Sequence, residues 1–258
     1  MLERFRHAKA AEIADLKERA ARGAMPPLFT GRRLPFAASL AQGGAPAVIA
    51  EYKRASPSKG DINLELSPEN AAAAYAKGGA KALSVLTESE YFKGDIAYIK
   101  RMAGAGLPML RKDFILHPLQ VEYSASTPAS AVLLIVRMLD DAMLRACLFR
   151  CLDVGLEAVV EVFDERDLER AQSAGASIIQ VNNRDLESLL VDFSLSRRLV
   201  ARRTPAEFWI TASGISGHSE LLSLAELGFD AALVGSSLMG GGDPARALSA
   251  LLKGGASG

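Results

Sequence analysis

From residue 47 onward, short apolar runs punctuate the chain, each followed by a more polar stretch. The runs cover 48–50, 82–86, 108–110, 131–136, 158–162, 177–181, 208–211 and 231–234. Brief, nearly continuous apolar runs bounded by turn residues predict strands buried on both faces. The stretches between them, among them 68–78, 164–174 and 217–227, predict helices, with Gly78, Gly175 and Gly228 as their end signals. Apolar strands separated by helices pair in parallel. Eight such units predict an α/β fold, a single closed (β/α)8 or TIM barrel. An open doubly wound sheet is the other arrangement this alternation permits.

The first forty-odd residues follow a different rule. Residues 2–22 are rich in Ala, Glu, Lys and Arg, and Leu2, Phe5, Ile13 and Leu16 form an apolar stripe at helical spacing. Pro26 and Pro27 end that helix, and a second short one is expected over 35–41, stopped by Gly43 and Gly44. The expected organisation is an N-terminal helical extension, 1–45, packed on a barrel, 46–258, as one domain overall. The glycine-rich tail 254–258 is expected to fray.

Composition narrows the function more than the fold. The 258 residues suit one barrel of about 250, and 49% apolar content supplies its core. A formal net charge of zero gives no global field for nucleic acid or a membrane surface. The two cysteines, Cys147 and Cys151, share one helix face and read as ordinary thiols of a reducing compartment. The start lacks the continuous apolar core of a signal peptide, and no run approaches the roughly 20 residues that span a bilayer. A cytoplasmic protein is expected, monomeric or weakly self-associating, with no nucleic-acid or membrane partner.

In such barrels chemistry sits at the C-terminal ends of the strands, and these positions are unusually polar here. Strand 1 leads into Glu51 and Lys53, which share a face by the period of two. Strand 2 leads into Ser84, Thr87 and Glu88; strand 3 into Arg111, Lys112 and Asp113; strand 5 into Glu161; strand 6 into Asn182, Asn183 and Arg184. Alternation turns Lys112 toward the barrel axis with Leu110, and leaves Arg111 and Asp113 to form an ion pair on the outer face. Three short polar turns suit a phosphate: Ser56-Pro57-Ser58-Lys59 after strand 1, Ser213-Gly214-Ile215 after strand 7, and Gly235-Ser236 after strand 8. A phosphorylated small molecule is therefore the expected ligand. His7, His117 and His218 fall in a terminal helix and loops, and read as exposed or capping residues.

These residues carry a resemblance. The blocks IAEYKRASPSKG (49–60), LSVLTESEYFKG (83–94), LPMLRKDFILHPLQ (107–120), VEVFDERDL (160–168), VNNRDL (181–186), SGI (213–215) and LVGSSLM (233–239) are similar, in order, to those of the indole-3-glycerol phosphate synthases. The resemblance implies ring closure of 1-(o-carboxyphenylamino)-1-deoxyribulose 5-phosphate with loss of carbon dioxide and water, in tryptophan biosynthesis. It implies no metal and no cofactor. By the same resemblance Lys112 is the general acid and Glu161 the general base. Lys53 holds or activates the substrate, and Glu51 and Asn182 orient it. Ser56, Ser213, Gly214, Ile215, Gly235 and Ser236 bind phosphate, Arg184 supports the network, and Leu86, Phe92, Phe114, Leu133 and Leu189 enclose the aromatic ring. The extension is expected to cover the barrel mouth. Two other functions stay open on the residues alone: a catalytically weakened phosphate-ester-binding barrel of the same family, and a phosphoribosylanthranilate-type isomerase.

The chain departs from the family pattern at two inward positions. Ala212 replaces a Glu before the Ser-Gly of strand 7, and Gln180 replaces a Gly two residues before the strand-6 Asn. Gln180 is expected to enter the space vacated near Ala212 and to bond with Asn182 or Thr211. Residues 127–130 also differ, with an effect expected on a loop alone.

Overall fold

The computed structural model describes residues 2–42, 46–185, 188–240 and 242–254. Gly43, Gly44, the site of Leu186 and the tail from residue 255, about which the sequence raised expectations, lie outside the described residues.

Eight parallel strands close into a barrel: β1 (Ala47–Tyr52), β2 (Ala82–Leu86), β3 (Met109–Lys112), β4 (Ala131–Ile135), β5 (Glu157–Val162), β6 (Ile178–Asn182), β7 (Phe208–Ala212) and β8 (Ala231–Val234). Closure comes from β1 pairing with β8 on one side, Ala47 against Ala231, and with β2 on the other, Glu51 against Ser84. The open sheet is thereby excluded. The expected strands all form, and several run one or two residues further. Those added residues include Glu51, Lys112 and Asn182, so the ladder itself fixes the backbone of the polar residues at the strand ends.

Alternation along the strands divides the core in two. Outward residues such as Val48, Leu83, Val132, Ile179 and Trp209 pack beneath the surrounding helices. Inward residues such as Ile49, Leu110, Leu133, Val159 and Ile210 fill the barrel. The helices are α3 (Pro68–Gly78), α4 (Ala97–Met102), α5 (Pro118–Ala125), α6 (Asp141–Asp153), α7 (Glu165–Ser173), α8 (Phe193–Val200), α9 (His218–Glu226), α10 (Ser236–Met239) and α11 (Pro244–Lys253). Sequence-local caps start many of them: Ser67, Asp140, Asp164, Asp192 and Asp243 accept from the first-turn amides. His117 does the same for α5 through Nδ1. At α3 the capping glycine is Gly79 (φ 102°) rather than Gly78. Gly78 instead permits close packing on α11, since a Cβ there would lie 2.9 Å from the Ala245 carbonyl oxygen. Cys147 and Cys151 are buried on α6 as free thiols. No helix among the described residues is long and apolar enough to cross a membrane.

The N-terminal segment touches both ends of the barrel. α1 (Leu2–Ala21) brings Phe5 over the upper end, where its ring stacks on Phe114 at 4.1 Å between centroids. Its stripe is not wholly apolar, because buried Lys9 lies between Phe5 and Leu16. α2 (Phe36–Leu40) takes the opposite end: Phe36 and Leu40 join the inner cluster with Ala47, Ala82, Ala131 and Ala231, the small inward residues at strand starts. Glu157, at the start of β5, accepts from the amides of Phe36 and Ala37, placing a carboxylate on the positive end of α2. Between the two helices Arg33 donates to the carbonyl oxygens of Ala125, Thr127 and Ala129. The variant segment 127–130 is therefore an anchor for the extension and more than a loop.

Candidate active site

A cavity of about 340 Å³ opens at the C-terminal ends of the strands, within the range of small-molecule sites. All the residues singled out at the strand ends and turns as binding or catalytic line it. Its floor carries two ammonium–carboxylate pairs. Lys53 Nζ lies 2.7 Å from Glu51 Oε1. Lys112 Nζ lies 3.4 Å from Glu161 Oε2, a long contact that leaves the ammonium donors for another partner. The carboxylate side chains are buried, whereas the lysines keep 17% and 18% of theirs exposed to the cavity.

Several of these polar groups are held from behind. Tyr75 on α3 donates to the Glu51 carbonyl oxygen at 3.0 Å. Gly235 leaves room for the Glu51 carboxylate, because a Cβ there would stand 2.3 Å from Oε1. Asn182 Oδ1 accepts from Ser213 Oγ at 2.8 Å and from the Arg184 amide at 3.1 Å, so its amide offers the donor face to the cavity. Arg184 in turn donates to the Leu189 carbonyl oxygen at 2.7 Å and shapes the loop after β6. The neighbouring Asn183 faces away, bonding to Thr211, Ser196 and the Ala212 carbonyl oxygen.

The three polar turns border the same cavity. The turn after β1 is a small hairpin, Ala55–Ser56 against Gly60–Asp61, in which Ser56 Oγ accepts from the Lys59 amide. After β7 the chain turns through two consecutive left-handed residues, Ser213 (φ 72°) and Gly214 (φ 88°). A non-glycine residue held there is a local strain of the sort that gathers at functional sites. Ser237 Oγ donates to the Ile215 carbonyl oxygen at 3.2 Å and ties the β8 turn to the β7 turn.

The apolar wall is made of Leu86, Phe92, Phe114, Leu133 and Leu189, joined by Phe5, Ile135 and Leu233. Ile135 and Leu233 share the inward parity of Leu133 and Ala231, and that signal was present in the sequence. Glu88 also lines the cavity. Its carboxylate accepts from the amides of Glu90, Tyr91 and Phe92 and so positions the aromatic loop after β2. Lys59 lines the cavity too, adding an ammonium beside the Ser56 turn.

One expectation fails. Gln180 points inward and is fully buried, but it bonds neither Asn182 nor Thr211. Its Nε2 donates to Glu161 Oε2. The ladder explains this: Gln180 is paired with Glu161 across β5 and β6, and Ala212 lies opposite Asn182.

Outside the barrel wall, Arg111 and Asp113 form the expected ion pair at 2.7 Å. Lys9 Nζ adds a second cation 3.0 Å from Asp113. Burial pushes the Asp113 carboxyl up, but Arg111 and Lys9 prevail and hold it at about 2.

Comparison with known proteins agrees with this geometry. The family model for indole-3-glycerol phosphate synthase matches residues 2–251. The indole-3-glycerol phosphate synthase of Desulfosudis oleivorans is 44% identical over 223 residues, 84% of each chain. That of Aquifex aeolicus is 44% identical over 80% of each, and that of Mycolicibacterium vanbaalenii 39% identical over 96% of this chain and 88% of its own. Among solved structures, the 3-hexulose-6-phosphate synthase of Salmonella typhimurium superposes with a TM-score of 0.63 at 16% identity, over 80% of this chain and 98% of that one. That likeness concerns the barrel alone. With nearly its whole length matched and its strand-end residues gathered at one mouth, the chain belongs to the indole-3-glycerol phosphate synthase family.

Proposed function

We propose that the protein is an indole-3-glycerol phosphate synthase. It converts 1-(o-carboxyphenylamino)-1-deoxyribulose 5-phosphate to indole-3-glycerol phosphate, carbon dioxide and water. The observation that carries this reading is the pair of ammonium groups, each beside a buried carboxylate, in one cavity with an apolar wall and a polar rim. The substrate has the same layout: an aromatic ring, a reacting ketone beside a carboxylate, and a phosphate at the far end.

In this reading the phosphate rests on the turns after β1, β7 and β8. The anthranilate ring lies against Phe114, Leu133 and their neighbours. The ring carbon that bears the carboxylate attacks the ketone, and Lys112 donates a proton to the ketone oxygen as it becomes a hydroxyl. The carboxylate leaves as carbon dioxide, restoring aromaticity. Lys53, steadied by Glu51, holds the departing carboxylate and then assists loss of the hydroxyl as water. Glu161 takes the proton released as the indole double bond forms. Asn182 orients the hydroxyl that leaves. A cytoplasmic monomer acting on a phosphorylated small molecule is the setting that fits this chemistry.

Indole fluorescence, followed after mixing the protein with the substrate, tests the reading. A rise that Lys112→Ala abolishes is the expected result. Binding of the substrate without any rise would favour a weakened barrel instead, with Ala212→Glu as the next variant.

A further inference from the structure

Gln180 stands directly opposite Glu161 in the pairing of β5 with β6, and both side chains point into the barrel. It is fully buried. Its Nε2 donates to Glu161 Oε2, the same oxygen that faces Lys112 Nζ at 3.4 Å. Its Oε1 has no hydrogen-bond partner among the described residues. Its other ladder partner, Ile210, has no polar side-chain atom to offer. Filling space between Glu161 and Ile210 calls for an apolar side chain, since a buried acceptor without a partner is unfavourable. The amide therefore needs another explanation.

We propose that Gln180 is a positioning residue that acts through Glu161. The inference rests on the reading of Lys112 and Glu161 as acid and base. Gln180 draws Oε2 toward β6 and keeps the carboxylate from collapsing onto Lys112. The ammonium stays free to give a proton, and the carboxylate stays free to take one. Without the amide, Lys112 is the nearest donor to Oε2, and attraction in a low-dielectric cavity shortens that contact. The unpartnered Oε1 adds a second property. While Glu161 is ionised, Nε2 donates to it. Once Glu161 has taken the substrate's proton, a half-turn of the amide presents Oε1 as acceptor for the new O–H, and Oε1 gives up no hydrogen bond in turning. One side chain thus partners both states of the base.

The test compares Gln180→Met and the isosteric Gln180→Glu in the wild-type and Glu161→Gln backgrounds, after wild-type turnover has been measured. Gln180→Met is expected to lower kcat about tenfold while KM stays within about twofold and the unfolding midpoint barely moves. Gln180→Glu, with acceptor facing acceptor, is expected to lose at least as much. In the Glu161→Gln background, Gln180→Met is expected to change the residual rate by less than about twofold, because the group it acts through is gone. Infrared spectra of protein with labelled glutamate give an independent reading. The carboxylate band that disappears in Glu161→Gln shifts in Gln180→Met. A folded Gln180→Met with wild-type kcat and an unshifted band overturns the proposal, as does an equal loss in both backgrounds. Should Gln180→Met not fold, Gln180→Glu carries the same comparison. Absence of turnover by the wild type overturns the proposed function instead, and the band alone then decides: a shift sustains the clamp, and no shift removes it.

Discussion

Neighbouring residues of β3 face two environments. Arg111 points outward, and nearly every donor it has is used: Thr87 at 3.1 Å, Ser124 at 2.9 Å, Asp113 at 2.7 Å, Glu12 at 3.3 Å and the Gln120 carbonyl oxygen at 3.4 Å. Asp113 is equally saturated, by Arg111, Lys9, Thr87 and the Phe114 amide. Lys112, one residue away, points inward and among the described residues meets only Glu161, at 3.4 Å. Both faces bury charge, but only the inner one leaves hydrogen-bonding capacity unused. Saturation marks charge that holds the fold, and spare capacity marks charge awaiting a ligand.

The sharpest way to break this contrast is to exchange each residue for Met. Lys112→Met is expected to lower the ring-closure rate by roughly 10²–10⁴-fold while leaving the urea midpoint almost unchanged. Arg111→Met is expected to do the reverse first, losing about 3 kcal/mol of stability by taking from buried Asp113 one of its two cations and leaving it to Lys9 alone. Equal destabilisation by both would remove the distinction. Acid probes the outer face through Asp113. Asp113 is held at about 2, below its ordinary 3.8, so the native chain binds fewer protons there than the unfolded chain. Its stabilisation is complete above about pH 5 and fades as pH falls toward 2: ~1 kcal/mol is lost by pH 3, and ~2 kcal/mol in all. Urea titrations at pH 6 and pH 3 should show this component in the wild type and not in Asp113→Asn. The smallest effect belongs to Glu69 and Arg101. Arg101 donates to both Glu69 oxygens, at 2.6 and 2.9 Å, and that bonding holds the carboxyl at about 2. Water and salt screen this exposed pair, so Glu69→Gln is expected to leave the urea midpoint within error. A clear change there would mean that partner geometry outweighs burial.

Much of this was legible because a strand's period of two is local. Alternation alone separated Lys112 from Arg111, put Glu51 and Lys53 on one face, and turned Asn182 inward with Gln180. What stayed hidden depends on how distant segments meet. Lys9 reads as a surface charge within an apolar stripe until Asp113 is brought beneath it. Gln180 was assigned partners on its own strand and the next one, because the stagger of β5 against β6 has no periodic signature. The floor plug left only a negative trace, the alanines that begin β1, β2, β4 and β8 on the inner face.

The reach of the N-terminal segment also bears on synthesis. The carbonyl oxygens that hold Arg33 lie 92 to 96 residues further along, and the carboxylate that caps α2 lies 121 residues beyond Phe36. A ribosome adds about 5–20 residues per second, so α2 emerges roughly 6 to 24 s before its cap exists. The first helices made therefore wait for partners that are synthesised much later. Until Ala131 and Ala231 have been made, Phe36 and Leu40 lack part of the inner cluster that buries them, and the growing chain carries an uncovered apolar pair.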